Sequence, residues 1–134
     1  MSRFIWQIIA LSLAMCAFSA CNGTLSKTGV YNGDKTLYNA DVIFDAGAAT
    51  VDVFLKYETA NRGTPAASAS LTKAADQVRT QWPKIHDAYY SARDAYVANK
   101  SNDNLTAFQK ALADAQAVFS SATTFLTSAK PSAT

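Results

Sequence analysis

The sequence predicts an all-α protein, an antiparallel up-down-up three-helix bundle. Three observations lead there. After residue 35 the apolar side chains recur in alternating steps of three and four, a spacing that lines one face of a helix and not one face of a strand. Alanine, the best helix former, is the commonest residue, whereas the 134 residues include only 5 glycines and 3 prolines. The strongest punctuation, Gly63-Thr64-Pro65 and Ser101-Asn102-Asp103, falls between the periodic stretches rather than within them.

The first helix is expected over about residues 36–61, with the stripe Leu37, Phe44, Ala48, Val51 and Leu55, widened by Ile43, Val53, Phe54 and Tyr57. Gly63 can take the left-handed conformation that ends a helix, and Thr64-Pro65 reads as the N-cap and first residue of the next. That second helix, over 65–99, has the cleanest pattern: Leu71, Ala75, Val78, Trp82, Ile85, Tyr89, Ala92 and Tyr96. Pro83 removes one backbone hydrogen bond, yet the stripe keeps its phase through it. One helix kinked near Pro83 is therefore expected, with two shorter helices as the alternative. The third, over 103–128, carries Leu105, Phe108, Leu112, Ala115, Phe119, Ala122 and Leu126, and residues 130–134 form a short tail. Short links make neighbouring helices antiparallel. That register sets Leu37 level with Tyr96, Phe44 with Tyr89 and Val51 with a central Trp82, while Leu105, Leu112 and Phe119 complete the layers.

Composition narrows the function classes. With 12 Lys+Arg against 10 Asp+Glu, a net charge of +2, the chain exerts no general pull on nucleic acid. At 49% hydrophobic and 16% charged residues it is not a disordered polyelectrolyte either.

The N-terminus reads as an export signal. Arg3 precedes an apolar run, Phe4 to Phe18, broken only by Gln7 and Ser12, and small residues follow at Ser19 and Ala20. The stretch Phe18-Ser19-Ala20-Cys21 resembles the lipobox of bacterial lipoprotein precursors, departing from it at Phe18, where leucine is usual. The resemblance implies cleavage before Cys21, acylation of its sulfur (palmitate among the chains) and attachment to the cell membrane. In a host with two membranes, Asn22 after the cysteine implies the outer one. Cleavage after Ser19, with Ala17 and Ser19 in the small-residue positions, and an uncleaved membrane helix remain the alternatives. Cys16 lies within the apolar run, so a chain acylated at Cys21 has no disulfide. From Asn22 to Lys35, three glycines, two asparagines and no apolar periodicity read as a flexible tether. The rest of the chain looks like the short, alanine-rich helical lipoproteins of bacteria and phages, a likeness of composition and layout that carries no site with it.

The catalytic inventory is small. The chain has one histidine, His86, one glutamate, Glu58, and no nucleotide-binding, zinc-protease or haem-attachment motif, so a non-enzyme without cofactor or metal is expected. Asp41, Asp45 and Asp52 share a helical row. They read as a solvated face, with Asp52–Lys56 and Glu58–Arg62 as helix pairs and Asp41 level with Arg93; cation ligation or an acid/base pair is the competing reading. Arg79, His86, Tyr90 and Arg93 line one flank of the second helix and are the candidate partner contacts, a patch for anionic lipid headgroups, a cell-wall polymer or an acidic protein. Asp76, Asp87 and Asp94 on the same helix temper that charge. The expected function is a membrane-anchored envelope lipoprotein that binds an envelope protein or polymer, with a phage or prophage origin as one variant. The alternative is a periplasmic carrier holding a small ligand or cation in a cavity near Gly47, Ala48 and Trp82.

Overall fold

A computed structural model describes residues 31–129. The expected signal segment, Cys21, most of the spacer and the tail beyond Ala129 lie outside these residues. By contacts the chain divides into residues 1–35 and 36–134, and the bundle belongs to the second unit. In the first, Tyr31–Asp34 closes a turn in which the Asp34 N–H donates to the Tyr31 carbonyl at 2.7 Å. Asn32 and Gly33 both have positive φ, 41° and 76°, the requirement of a type I′ turn. The stretch that reads as a flexible tether thus ends in a hydrogen-bonded turn.

Three helices follow: α1 (Lys35–Asn61), α2 (Ala69–Ala98) and α3 (Asn102–Ser128). Side-chain partners run in opposite order along α1 and α2, Asp41 meeting Arg93 and Glu58 meeting Arg79. Tyr96 with Phe108 and Trp82 with Phe119 give the same reversal between α2 and α3. Between α1 and α3 the order is shared, Phe44 meeting Phe119 and Phe54 meeting Phe125. The bundle is up-down-up, as the stripes and short links predict.

The start of α2 differs from expectation. Thr64 does not cap a helix: its N–H and hydroxyl both donate to the Asn61 carbonyl, at 3.0 and 2.7 Å, and its carbonyl accepts from Ala67 N–H at 3.1 Å. Pro65 therefore occupies a turn, a position that suits its fixed φ equally well. The cap is Ser68, whose hydroxyl accepts from Leu71 N–H at 3.2 Å. Gly63 does take the left-handed conformation after α1, at φ 81°. Ser101 caps α3 in the same way, accepting from Asn104 N–H at 3.2 Å. The Asn104 amide in turn donates to the Asn99 carbonyl at 2.8 Å and binds the short α2–α3 link.

Helix α2 runs unbroken through Pro83, which lies on its exposed side, so its ring does not disturb the core. The core contains Leu37, Ala40, Phe44, Val51 and Phe54 of α1, Leu71, Ala75, Val78, Tyr89 and Tyr96 of α2, and Phe108, Ala111, Ala115, Val118, Phe119 and Ala122 of α3. Phe44 stacks on Tyr89 at 3.7 Å between centroids, the pair expected from the antiparallel register. Trp82 is not central. It is half-buried, stacking on Phe44 at 5.6 Å. The inner face of α3 is also turned: Ala111 and Val118 are buried, whereas Leu105, Leu112 and Leu126 are half-buried. Periodicity weights leucine over alanine, but the interior already holds the rings of Phe44, Tyr89 and Phe108, so the facing positions must be small.

Candidate functional site

The chemistry of the bundle is concentrated along the seam between α1 and α2, where two buried acids meet three arginines. Asp41 is buried. It accepts from the Tyr89 hydroxyl at 2.8 Å and from both Nε and Nη2 of Arg93 at 2.8 Å, a forked carboxylate–guanidinium pair. Arg93 also reaches the exposed Asp94 at 3.3 Å. Burial, the hydrogen bond to Asp41 and its negative charge all push the Tyr89 hydroxyl far above the ordinary tyrosine range. Tyr89 thus stays a neutral donor, and the triad joins the first turns of α1 to the last turns of α2.

The second cluster lies at the other end of the seam. Glu58, read as half of a surface helix pair, is fully buried. Arg62 Nε donates to it at 2.8 Å, as the i,i+4 spacing suggests, but Arg79 Nη2 reaches it from α2 at 2.6 Å. Both arginines also hold Asp76, at 2.6 and 3.1 Å, which closes a ring of four charges, and Arg79 adds the Thr59 hydroxyl at 2.8 Å. Burial alone would raise the Glu58 carboxyl; the hydrogen bonds from Arg79 and Arg62 outweigh it and hold the group below the ordinary range. Since the arginines remain partly exposed, Glu58 is sealed by guanidinium groups rather than sunk in apolar packing. A signal for this pair existed in the sequence: the register that sets Asp41 level with Arg93 sets Glu58 level with Asp76, one turn of α2 from Arg79 and within reach of its long side chain. The nearby Arg62 concealed it by offering a complete local explanation.

Between the two ion clusters lies an aromatic one. Trp82, His86 and Tyr90 follow one another by single turns of α2 and surround Phe44, with centroids 5.6, 5.8 and 5.4 Å from its ring. His86 and Tyr90 approach to 4.9 Å. Across the seam stands Asp45, exposed and without an ion-pair partner among the described residues. Asp52 pairs instead with Lys56 at 2.7 Å in open solvent, so the row Asp41, Asp45, Asp52 does not converge on one point. Among the described residues no group of three or more acids, histidines or cysteines could hold a metal ion.

The four candidate contacts on α2 therefore separate into two kinds. Arg79 and Arg93 are engaged by Glu58, Asp76 and Asp41 and present little unneutralised charge; His86 and Tyr90 are partly exposed. The space expected near Gly47 is occupied. The Phe119 ring lies against the Gly47 backbone so closely that a Cβ there would overlap it. No buried polar side-chain atom among the described residues lacks a partner. In comparison with known proteins, the chain matches no family model, no curated protein and no solved structure.

Proposed function

We propose that the protein is an envelope lipoprotein, anchored through Cys21, whose helical bundle works as a non-enzymatic binding module. The observation that carries this reading is the joining of two features in one short chain: the lipobox-like Phe18-Ser19-Ala20-Cys21 and a bundle whose buried acids are all occupied by its own arginines and tyrosine. Acylation of Cys21 would add about 0.8 kcal/mol of membrane affinity per buried methylene, so two chains hold the protein stably. No helix of the described residues is long and apolar enough to cross a membrane, which leaves the anchor to the N-terminal segment in this reading. The seam supports a structural use for Asp41 and Glu58, because a carboxylate held by a forked arginine is a poor base and a poor metal ligand. What remains for function is the exposed surface.

The mass of the mature N-terminus tests the anchor. Chains purified from the native host begin at Cys21 and carry the added mass of the acyl groups, whereas Cys21→Ala accumulates as an unmodified precursor. An unmodified wild-type chain beginning at Ala20 overturns the reading.

A further inference from the structure

We infer that the outer edge of the aromatic cluster, Tyr90 and His86 on α2 beside Asp45 on α1, binds an arginine side chain presented by a basic segment of a partner protein. This rests on the binding-module reading and adds the partner's chemistry to it. The neighbouring turn supplies the template. There the Asp41 carboxylate on α1 accepts from the Tyr89 hydroxyl and from Arg93, both on α2, with three short hydrogen bonds from Arg93 Nε and Nη2. One turn along α1 stands Asp45, and beside Tyr89 on α2 stands Tyr90. A carboxylate and a tyrosine recur, but no arginine among the described residues meets Asp45.

Charge decides the sign of the partner. With Arg79 and Arg93 engaged by internal acids, the side chains left open around Tyr90 are Asp45, His86 and the Asp87 carboxylate 3.5 Å from His86, whereas the exposed Lys84 lies toward α3, beside Ala107 and Lys110. Burial raises the Tyr90 hydroxyl, and Asp45 and Asp41 raise it further while Arg93 opposes them; since Arg93 neutralises Asp41, Asp45 is the charge left beside the ring. A cation is favoured there and an anionic headgroup or acidic polymer is repelled, the reverse of what the arginine row suggests in the sequence. Among cations, guanidinium is the one that stacks on a ring face and also offers paired N–H groups to a carboxylate. A quaternary ammonium headgroup has no N–H for Asp45, and a lysine ammonium lacks the planar fork. The chain's own net charge of +2 supplies no unspecific attraction to a basic peptide.

The test uses the full chain in detergent micelles and a fluorescein-labelled nona-arginine peptide, read by anisotropy at low salt. The peptide binds, nona-lysine binds more weakly, and Asp45→Asn and Tyr90→Ala each weaken the arginine peptide by about two- to fivefold, the range for one exposed cation–π or ion-pair contact. Tyr90→Phe and the distant Asp114→Asn bind as wild type. Asp45 has no ion-pair or hydrogen-bond partner among the described residues, so Asp45→Asn keeps the wild-type urea midpoint. Guanidinium chloride displaces the peptide at lower concentration than tetramethylammonium chloride. Unchanged affinity in both Asp45→Asn and Tyr90→Ala overturns the assignment, as does preferential displacement by tetramethylammonium, which would indicate a choline headgroup. A concentration-dependent dimer that Tyr90→Ala abolishes would overturn it in favour of a second copy. An acylated chain that ignores the peptide rejects the patch alone, while an unacylated chain that binds it rejects the anchor alone.

Discussion

At Gly47 two opposing effects meet on one residue, and their sizes decide the outcome. Glycine inside a helix costs about 1 kcal/mol relative to alanine, so Gly47→Ala in isolation would stabilise α1. The added Cβ, however, would overlap the Phe119 ring, which is itself buried and packed against Phe44 and Trp82. Overpacking of this kind costs typically about 1–3 kcal/mol, because neighbours must leave their rotamers. Gly47→Ala is therefore expected to lower the urea midpoint despite the better helix former, and Phe119→Leu in the same chain should recover part of the loss. A stabilised single variant would show that Phe119 can move away freely. Glycine at 47 is needed for close approach and not for its backbone freedom, a distinction the sequence does not display.

Each helix answers differently to the question of how much was legible. The α2 stripe was read residue by residue, and Leu71, Ala75, Val78, Tyr89 and Tyr96 are all buried. Its remaining members, Trp82, Ile85 and Ala92, are half-buried, because a helix packed against two others spreads its stripe over two seams. In α3 the missing information was volume: period places a residue on a face, but whether Leu112 or Ala111 points to the centre depends on which rings the other helices bring there. Of the site, Asp41–Arg93 followed from register, while buried Glu58 did not, since a local partner masked a distant one. The difference between Trp82 and Phe44 has a measurable consequence. Phe44 is fully buried and stacks on Tyr89, so Phe44→Ala should cost about 3–5 kcal/mol. Trp82 is half-buried and its removal loses three ring contacts, to Phe44, His86 and Phe119, so Trp82→Ala should cost about 1–2 kcal/mol. Equal midpoints in urea unfolding would return Trp82 to the centre of the bundle.

For the whole molecule, the two ion clusters at opposite ends of one seam make stability a function of pH with a flat top. The Glu58 and Asp76 carboxyls are held below their ordinary values of 4.5 and 3.8, in Asp76 chiefly by the hydrogen bond from Arg62. In the unfolded chain these groups take up protons near those ordinary values, while the folded chain still excludes them. Acid therefore favours unfolding, and the stabilisation, complete above about pH 5, is lost as pH falls through 4.5 and toward the folded values. On the alkaline side the sign is reversed. Tyr89 is raised above its ordinary value of 10.0 by burial and by its hydrogen bond to Asp41, so the unfolded chain releases its proton first and stability falls as pH rises past 10. The exposed pairs Asp52–Lys56 and Lys110–Asp114 add little at any pH, since solvent screens them. Urea midpoints measured from pH 3 to 11 should thus form a plateau between roughly 5 and 10 with two independent shoulders. Glu58→Gln should lower the plateau and flatten the acid shoulder without moving the alkaline one. Tyr89→Phe should soften the alkaline shoulder and leave the acid one in place, because Arg93 still holds Asp41. An acid shoulder that persists unchanged in Glu58→Gln would mean that the four-charge ring at the α1–α2 turn does not set the acid limit of the fold.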